Sequence, residues 1–227
     1  MENSPHTVSD VMTRAVVAVG QEARFKEIVE TMERWRVSAL PVLAGEGRVI
    51  GVVSEADLLP KEEFRGSAPS RLEQARRLDD VRKAGGVTAR DLMSAPALTV
   101  HPGDTLAQAA RTMAHKSVKR LPVVDGEGLL QGIVSRSDLL KVFLRSDEEL
   151  AAEVRADVID RLFAGAAEDV EAVVTDGVVT LRGSFAAASL LPVAARLVRA
   201  VEGVVDVTLD VTAMAPAPTE PPAAGAK

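Results

Sequence analysis

The feature that most limits how this chain can fold is that much of its first two thirds is written twice. Gly51, Val52, Val53, Ser54, Glu55, Ala56 and Asp57 return as Gly132, Ile133, Val134, Ser135, Arg136, Ser137 and Asp138. Each copy is a glycine, two β-branched residues and then Ser-x-x-Asp. The 81-residue offset between Gly51 and Gly132 also carries Asp10 to Asp91, Met12 to Met93, Met32 to Met113 and Val37 to Val118. It carries the run Leu40, Pro41, Val42 to Leu121, Pro122, Val123 as well. A register held this long marks two copies of one supersecondary unit, and it ties the fold of one half to the fold of the other.

The repeated stretch reads as a short buried strand that stops at the serine and enters a helix. Ser54 and Ser135 stand at N-cap positions, with Asp57 and Asp138 three residues on, so each pair can serve simply as a capping box. The same geometry has a second use. A helix start offers amide N–H groups to a phosphate, and a nearby carboxylate can accept both hydroxyls of a ribose. Two copies, each about ten residues behind a Leu-Pro-Val strand start, favour the second use.

Around this stretch the elements fall in the order strand, helix, strand, strand, helix. In the first copy they are Ala15 to Val19, Glu22 to Arg36, Ala39 to Ala44, Val49 to Ser54, and a short helix through Asp57. Phe25, Ile28, Val29, Met32 and Trp35 make one apolar stripe on the long helix, which assigns Trp35 to the core. In the second copy a strand over Ala97 to Val100 precedes Asp104 as N-cap and a helix from Thr105 to Lys116. Hairpin strands Lys119 to Val124 and Leu130 to Ser135 follow, then a helix from Ser137 to about Arg145. Between the copies, residues 60–87 have no counterpart. Ser70 to Lys83 can form a helix with Leu72, Ala75, Leu78 and Val81 on one side. Arg71, Arg76, Arg77, Arg82 and Lys83 lie on the other, as a solvated spacer or as a basic lip over a ligand.

The paired motifs resemble a tandem of CBS domains, a Bateman module, over about residues 8 to 144. The resemblance implies repeats at 8–59 and 88–145 packed about a pseudo-twofold, with adenosyl ligands in the clefts between them. The ligands it implies are AMP, ADP, ATP or S-adenosylmethionine. Carried over by position, the first cleft would combine Val52, Ser54 and Asp57 with Leu98, Lys119, Arg120 and Pro122. The second would combine Ile133, Ser135, Arg136 and Asp138 with Val17, Ala39 and Pro41. The aspartates would take ribose, the serines and basic side chains phosphate, and the apolar residues adenine. The first cleft has Lys119 and Arg120 where the second has Ser38 and Ala39, so phosphate-rich ligands are expected in the first. The resemblance also implies a face-to-face homodimer.

After a polar hinge at Ser146 to Glu149 comes a different unit. A helix to Phe163, strands Val170 to Thr175 and Val178 to Arg182, a helix Ala187 to Val201 and a strand Val204 to Thr212 make an α-β-β-α-β sandwich. Asp176 and Gly177 form its hairpin turn, where positive φ is required. The run Asp176 to Gly183 and the run Val201 to Val207 resemble a BON domain over residues 149–213. Such domains are associated with phospholipid or with cell-envelope partners. From Glu149 to Ala213 eleven acids face five arginines, which accounts for the whole net charge of −6. An anionic bilayer would repel such a surface, so a protein partner comes first and lipid second. Residues 214–227, rich in alanine and proline, are expected to be a disordered tail.

The overall expectation is an α+β protein, cytoplasmic and without catalytic chemistry. The absence of cysteine removes disulfides, thiolate nucleophiles and cysteine metal sites together. The three histidines are scattered, and no P-loop or Ser/His/Asp set is present, which leaves an enzyme as the rival reading. No metal is expected. Nucleic acid is not expected either, because the basic residues of 70–83 lack interleaved aromatics. Two other readings remain: an adaptor with empty clefts, and an envelope protein acting on phospholipid through its last domain.

Overall fold

The computed structural model describes residues 6–65, 77–163, 170–185 and 190–213. Residues 66–76, which include the first half of the expected basic helix, lie outside these, as do the expected tail residues 214–227. The chain forms two compact units, one over His6–Leu139 and one from Leu140 onward.

In the first unit the two copies fold alike. Strand β1, Val19–Gly20, runs parallel to β2, Ala39–Ala44, which is antiparallel to β3, Arg48–Ser54. In the second copy β4, Arg120–Val124, is antiparallel to β5, Leu130–Ser135. The expected strand at Ala97–Val100 is reduced to a single parallel bridge from Val100 to Val123. The long helices cover Phe25–Trp35 and Leu106–His115. Thr105 caps the second helix, whereas Asp104 turns back to accept from the His101 amide at 2.7 Å.

Neither copy is closed on its own. Thr13 bridges Ile133 with reciprocal amide bonds of 2.9 Å, and Ser94 bridges Val52 with bonds of 2.9 and 3.1 Å. Thr7 pairs with Thr105 and Thr88 with Arg24 in the same exchange. Each lead-in therefore finishes the other copy's sheet, and Ala89 and Leu92 are buried in the core of the first copy. The repeated glycines belong to this arrangement. A Cβ on Gly51 would strike the side chain of Met93, and one on Gly132 would meet the sulfur of Met12 at 2.7 Å.

The stripe on the first long helix buries Ile28 and Met32 but not Trp35, which is 59% exposed. At about 100° per residue, Val29 and Trp35 lie roughly 60° to either side of Met32. They form the edges of the buried face, and both are open to solvent. The chain leaves the helix through Arg36 in the left-handed region, φ 52°, as it leaves the second through Ser117, φ 54°.

The second unit has the expected order. A helix over Asp147–Val154 continues through a π turn at Arg155–Ile159 and a last α turn at Asp160–Leu162. Strands β6, Val170–Thr175, β7, Val178–Phe185, and β8, Asp206–Ala213, form one sheet in that order. β6 and β7 are antiparallel, while β7 and β8 are parallel through the crossover helix Leu191–Arg199. Val154, Ile159, Leu181, Ala194 and Val198 fill the core between helices and sheet. Asp176 and Gly177 take the positive φ that a two-residue turn requires. The Asp147 carboxylate accepts from both turn amides at 2.9 Å.

Candidate functional site: two clefts between the repeats

The exchanged lead-ins leave a cleft on each side of the first unit. The first, about 470 Å³, is walled by Val52, Ser54 and Asp57 from one repeat and by Leu98, Lys119 and Arg120 from the other. The second, about 360 Å³, is walled by Val17 and Ala39 on one side and Ile133, Ser135 and Asp138 on the other. Both volumes lie in the range of small-molecule sites, about 300–1,000 Å³.

Three residues assigned from sequence are not brought into these walls. Pro122 is buried in β4 opposite Ile133, and Pro41 is buried in β2 opposite Val52. Arg136 lies exposed, its Nε donating to the Val118 carbonyl at 3.2 Å. In its place Arg120 reaches the second cleft as well as the first. Ala39, the counterpart of Arg120 in the other repeat, also lines both clefts and has no side chain long enough to fill the space. The basic asymmetry read from sequence is thus reduced, because one guanidinium serves both sides. Trp35, expected in the core, lines the second cleft.

The Ser-x-x-Asp motifs form capping boxes. Asp57 Oδ2 accepts from the Ser54 amide at 2.7 Å and its hydroxyl at 2.6 Å. Asp138 Oδ2 accepts from the Ser135 amide at 2.9 Å and its hydroxyl at 2.6 Å. The helix starts offer less to an anion than the sequence suggests. The Glu55 amide is spent on the Ser38 carbonyl and the Arg136 amide on the Lys119 carbonyl, both at 3.1 Å. A phosphate would therefore rely on side-chain cations more than on amides.

Sequence reasoning missed the second partner of Asp57. Lys83, placed above on a basic outer face, is turned inward and pairs with Asp57 Oδ1. Ser94 completes the contact, its hydroxyl 3.2 Å from Asp57 Oδ1 and 3.0 Å from the Lys83 ammonium. With Asp57 balanced in this way, Lys119 and Arg120 outweigh Glu55, and the first cleft favours an anionic guest. Ser94 could have been found from its register with Thr13, whereas Lys83 has no counterpart in the repeat. Among the described residues no group of three or more acids and histidines could hold a metal ion, and no helix is long and apolar enough to cross a membrane.

Two clefts between intertwined β-α-β-β-α repeats, each with a Ser-x-x-Asp corner, define a tandem CBS module. Residues 8–61 and 89–145 match the CBS domain, and residues 146–213 match the BON domain. The chain belongs to the CBS-domain family, with two CBS domains followed by a BON domain. It is 28% identical over 153 residues to the protein MJ1426 of Methanocaldococcus jannaschii, a match covering 60% of this chain and 90% of that protein. It is 29% identical over 136 residues to MK0525 of Methanopyrus kandleri, of which it spans 62%. It is 28% identical over 161 residues to the chloroplastic CBS domain-containing protein CBSX2 of Arabidopsis thaliana, covering 65% of this chain and 68% of that one. The crystal structure of CBSX2 in complex with AMP superposes with a TM-score of 0.54 at 31% identity, over 61% of this chain and 97% of that one.

Proposed function

We propose that the protein is a non-catalytic regulatory sensor that binds an adenosyl nucleotide in the clefts between its CBS repeats. The observation that carries this reading is the pairing, in each cleft, of a Ser-x-x-Asp corner from one repeat with an apolar wall from the other. The AMP complex of CBSX2 supports the ligand class. Asp57 and Asp138 would accept the ribose hydroxyls, and Lys119 and Arg120 the phosphate. Val52 and Leu98 in one cleft, and Val17 and Ile133 in the other, would sandwich the base.

The test is titration with AMP, ADP, ATP and S-adenosylmethionine, following melting temperature and Trp35 fluorescence. Because Trp35 lines the second cleft, its emission reports that site directly. A ligand at about one hundred times its Kd should add roughly 2.7 kcal/mol of stability. A melting temperature unmoved by all four at millimolar concentration would refute adenosyl sensing and leave an adaptor.

Two parts of this reading concern partners. The helical face around Val29, Leu58 and Leu59 carries an open groove of about 710 Å³, which suits a face-to-face homodimer. Mass measurement in solution would find a monomer if this is wrong. The BON domain is read as a module for a protein partner rather than for lipid, since its acids outnumber its arginines. Flotation with liposomes that tightened as anionic lipid was added would reverse that order.

A further inference from the structure

The Asp57 carboxylate is already fully engaged. Its Oδ2 takes the Ser54 amide and hydroxyl, and its Oδ1 takes the Lys83 ammonium and the Ser94 hydroxyl. A carboxylate has about four lone-pair positions, so a ribose diol can bind only by displacing donors already there. The Ser54 amide and hydroxyl on Oδ2 both belong to the capping box that starts the helix Glu55–Leu58, so displacing them would cost that helix its cap. At Oδ1 the remaining donors are linked, because Ser94 also receives a bond from Lys83. A hydroxyl arriving at Oδ1 opens that triangle and strips the ammonium of partners in a place where its side chain is only 11% exposed. A buried ammonium without its carboxylate is strongly disfavoured, so it leaves.

Lys83 cannot leave alone. It is the one buried residue of the helix Leu78–Gly85, whose Leu78 is exposed. The other ties of this helix are peripheral: Lys61 to the Ala84 carbonyl at 2.9 Å, Arg82 to the Asp91 carbonyl at 3.4 Å, and the exposed pairing of Arg77 with Glu63. A segment with so few buried apolar contacts belongs to the easily opened part of a fold.

We propose that Lys83 is a latch which the ribose of a bound nucleotide displaces from Asp57, so that filling the first cleft releases the helix Leu78–Gly85. This rests on the reading of the clefts as nucleotide sites and adds to it an output, a helix in the unrepeated segment between the CBS repeats. The binding energy of the ligand is divided between seating itself and opening the helix, which lowers its apparent affinity.

The experiment uses the full chain carrying Asp138→Asn, which removes the ribose acid of the second cleft. Hydrogen exchange of residues 78–86 is followed with AMP and with 2′,3′-dideoxy-AMP, and AMP affinity is measured by calorimetry with and without Lys83→Met. AMP should speed exchange in this helix while the dideoxy compound leaves it unchanged. Lys83→Met should bind AMP at least about tenfold more tightly, since no latch remains to open. Bound AMP that leaves exchange unchanged or slows it overturns the latch, as does equal or weaker binding by Lys83→Met. Absence of any AMP binding in the calorimeter refutes instead the nucleotide reading beneath it. The exchange arm needs no variant of Lys83, so it stands even if that substitution disturbs folding.

Discussion

Arg120 donates from Nη2 to the Ser38 hydroxyl at 2.7 Å, and in that position its guanidinium borders both clefts. Charge at one site is therefore charge at the other. Arg120→Ala should weaken AMP at each cleft by the worth of a charged hydrogen bond, about 1.5–3 kcal/mol, roughly ten- to hundredfold. Adenosine, which lacks the phosphate, should bind the variant as it binds the parent. Calorimetry with both ligands checks this, and equal losses for the two would show that Arg120 acts on packing alone.

Gly51→Ala should destabilise the CBS module by about 1–3 kcal/mol, the usual cost of overfilling a packed site. The added carbon meets Met93 along its side chain, down to Cβ, so rotation of the methionine cannot clear it. In urea denaturation the double variant Gly51→Ala, Met93→Ala should cost less than the sum of the two single changes. Strict additivity would place the crowding elsewhere.

Acid should loosen the exchanged lead-ins. The Val87 amide first, then the amide and hydroxyl of Thr88, hold the Asp91 carboxyl below its ordinary range, and the Thr7 amide and hydroxyl do the same for Asp10. A carboxyl whose folded value is depressed stabilises the fold above its unfolded value, and that stability is lost as pH falls through the folded one. The melting temperature should thus hold near neutrality and drop below about pH 4. Asp91→Asn should lower it at neutral pH and flatten the acid limb. An acid limb unchanged by this substitution would assign the drop to other carboxylates.

In the BON domain Asp147→Ala removes the acceptor for two hairpin amides. Exchange at Asp176 and Gly177 should accelerate, and the domain should lose about 1 kcal/mol, the net worth of a typical hydrogen bond. Exchange that stays slow would mean the turn is held by its φ angles alone.

The paired cleft corners were legible because repetition exposes them: an offset that carries Ser54 to Ser135 also carries the strand before it and the wall opposite. Capping chemistry alone would not have sufficed. Thr7 with Asp10 and Thr88 with Asp91 form the same box at helix starts that line neither cleft. What lay beyond pattern was whatever had no twin. Lys83 sits in the unrepeated segment, where alternating charge reads as a wet surface, and only the fold turns it toward Asp57. Trp35 was misjudged for a different reason, since a periodic stripe states which face is apolar but not how wide the buried part of that face is. Arg120 was assigned to one side because sequence says nothing of how far a long side chain extends past a small neighbour such as Ala39.

The crossing of lead-ins at Thr13 with Ile133 and Ser94 with Val52 makes the two pockets indivisible. A chain severed between Phe64 and Val87 would yield two fragments, each holding the acid of one pocket and the back of the other, and neither a finished pocket. Damage that unfolds one half takes a wall from each pocket at once, so this molecule cannot lose one of them by losing one of its repeats.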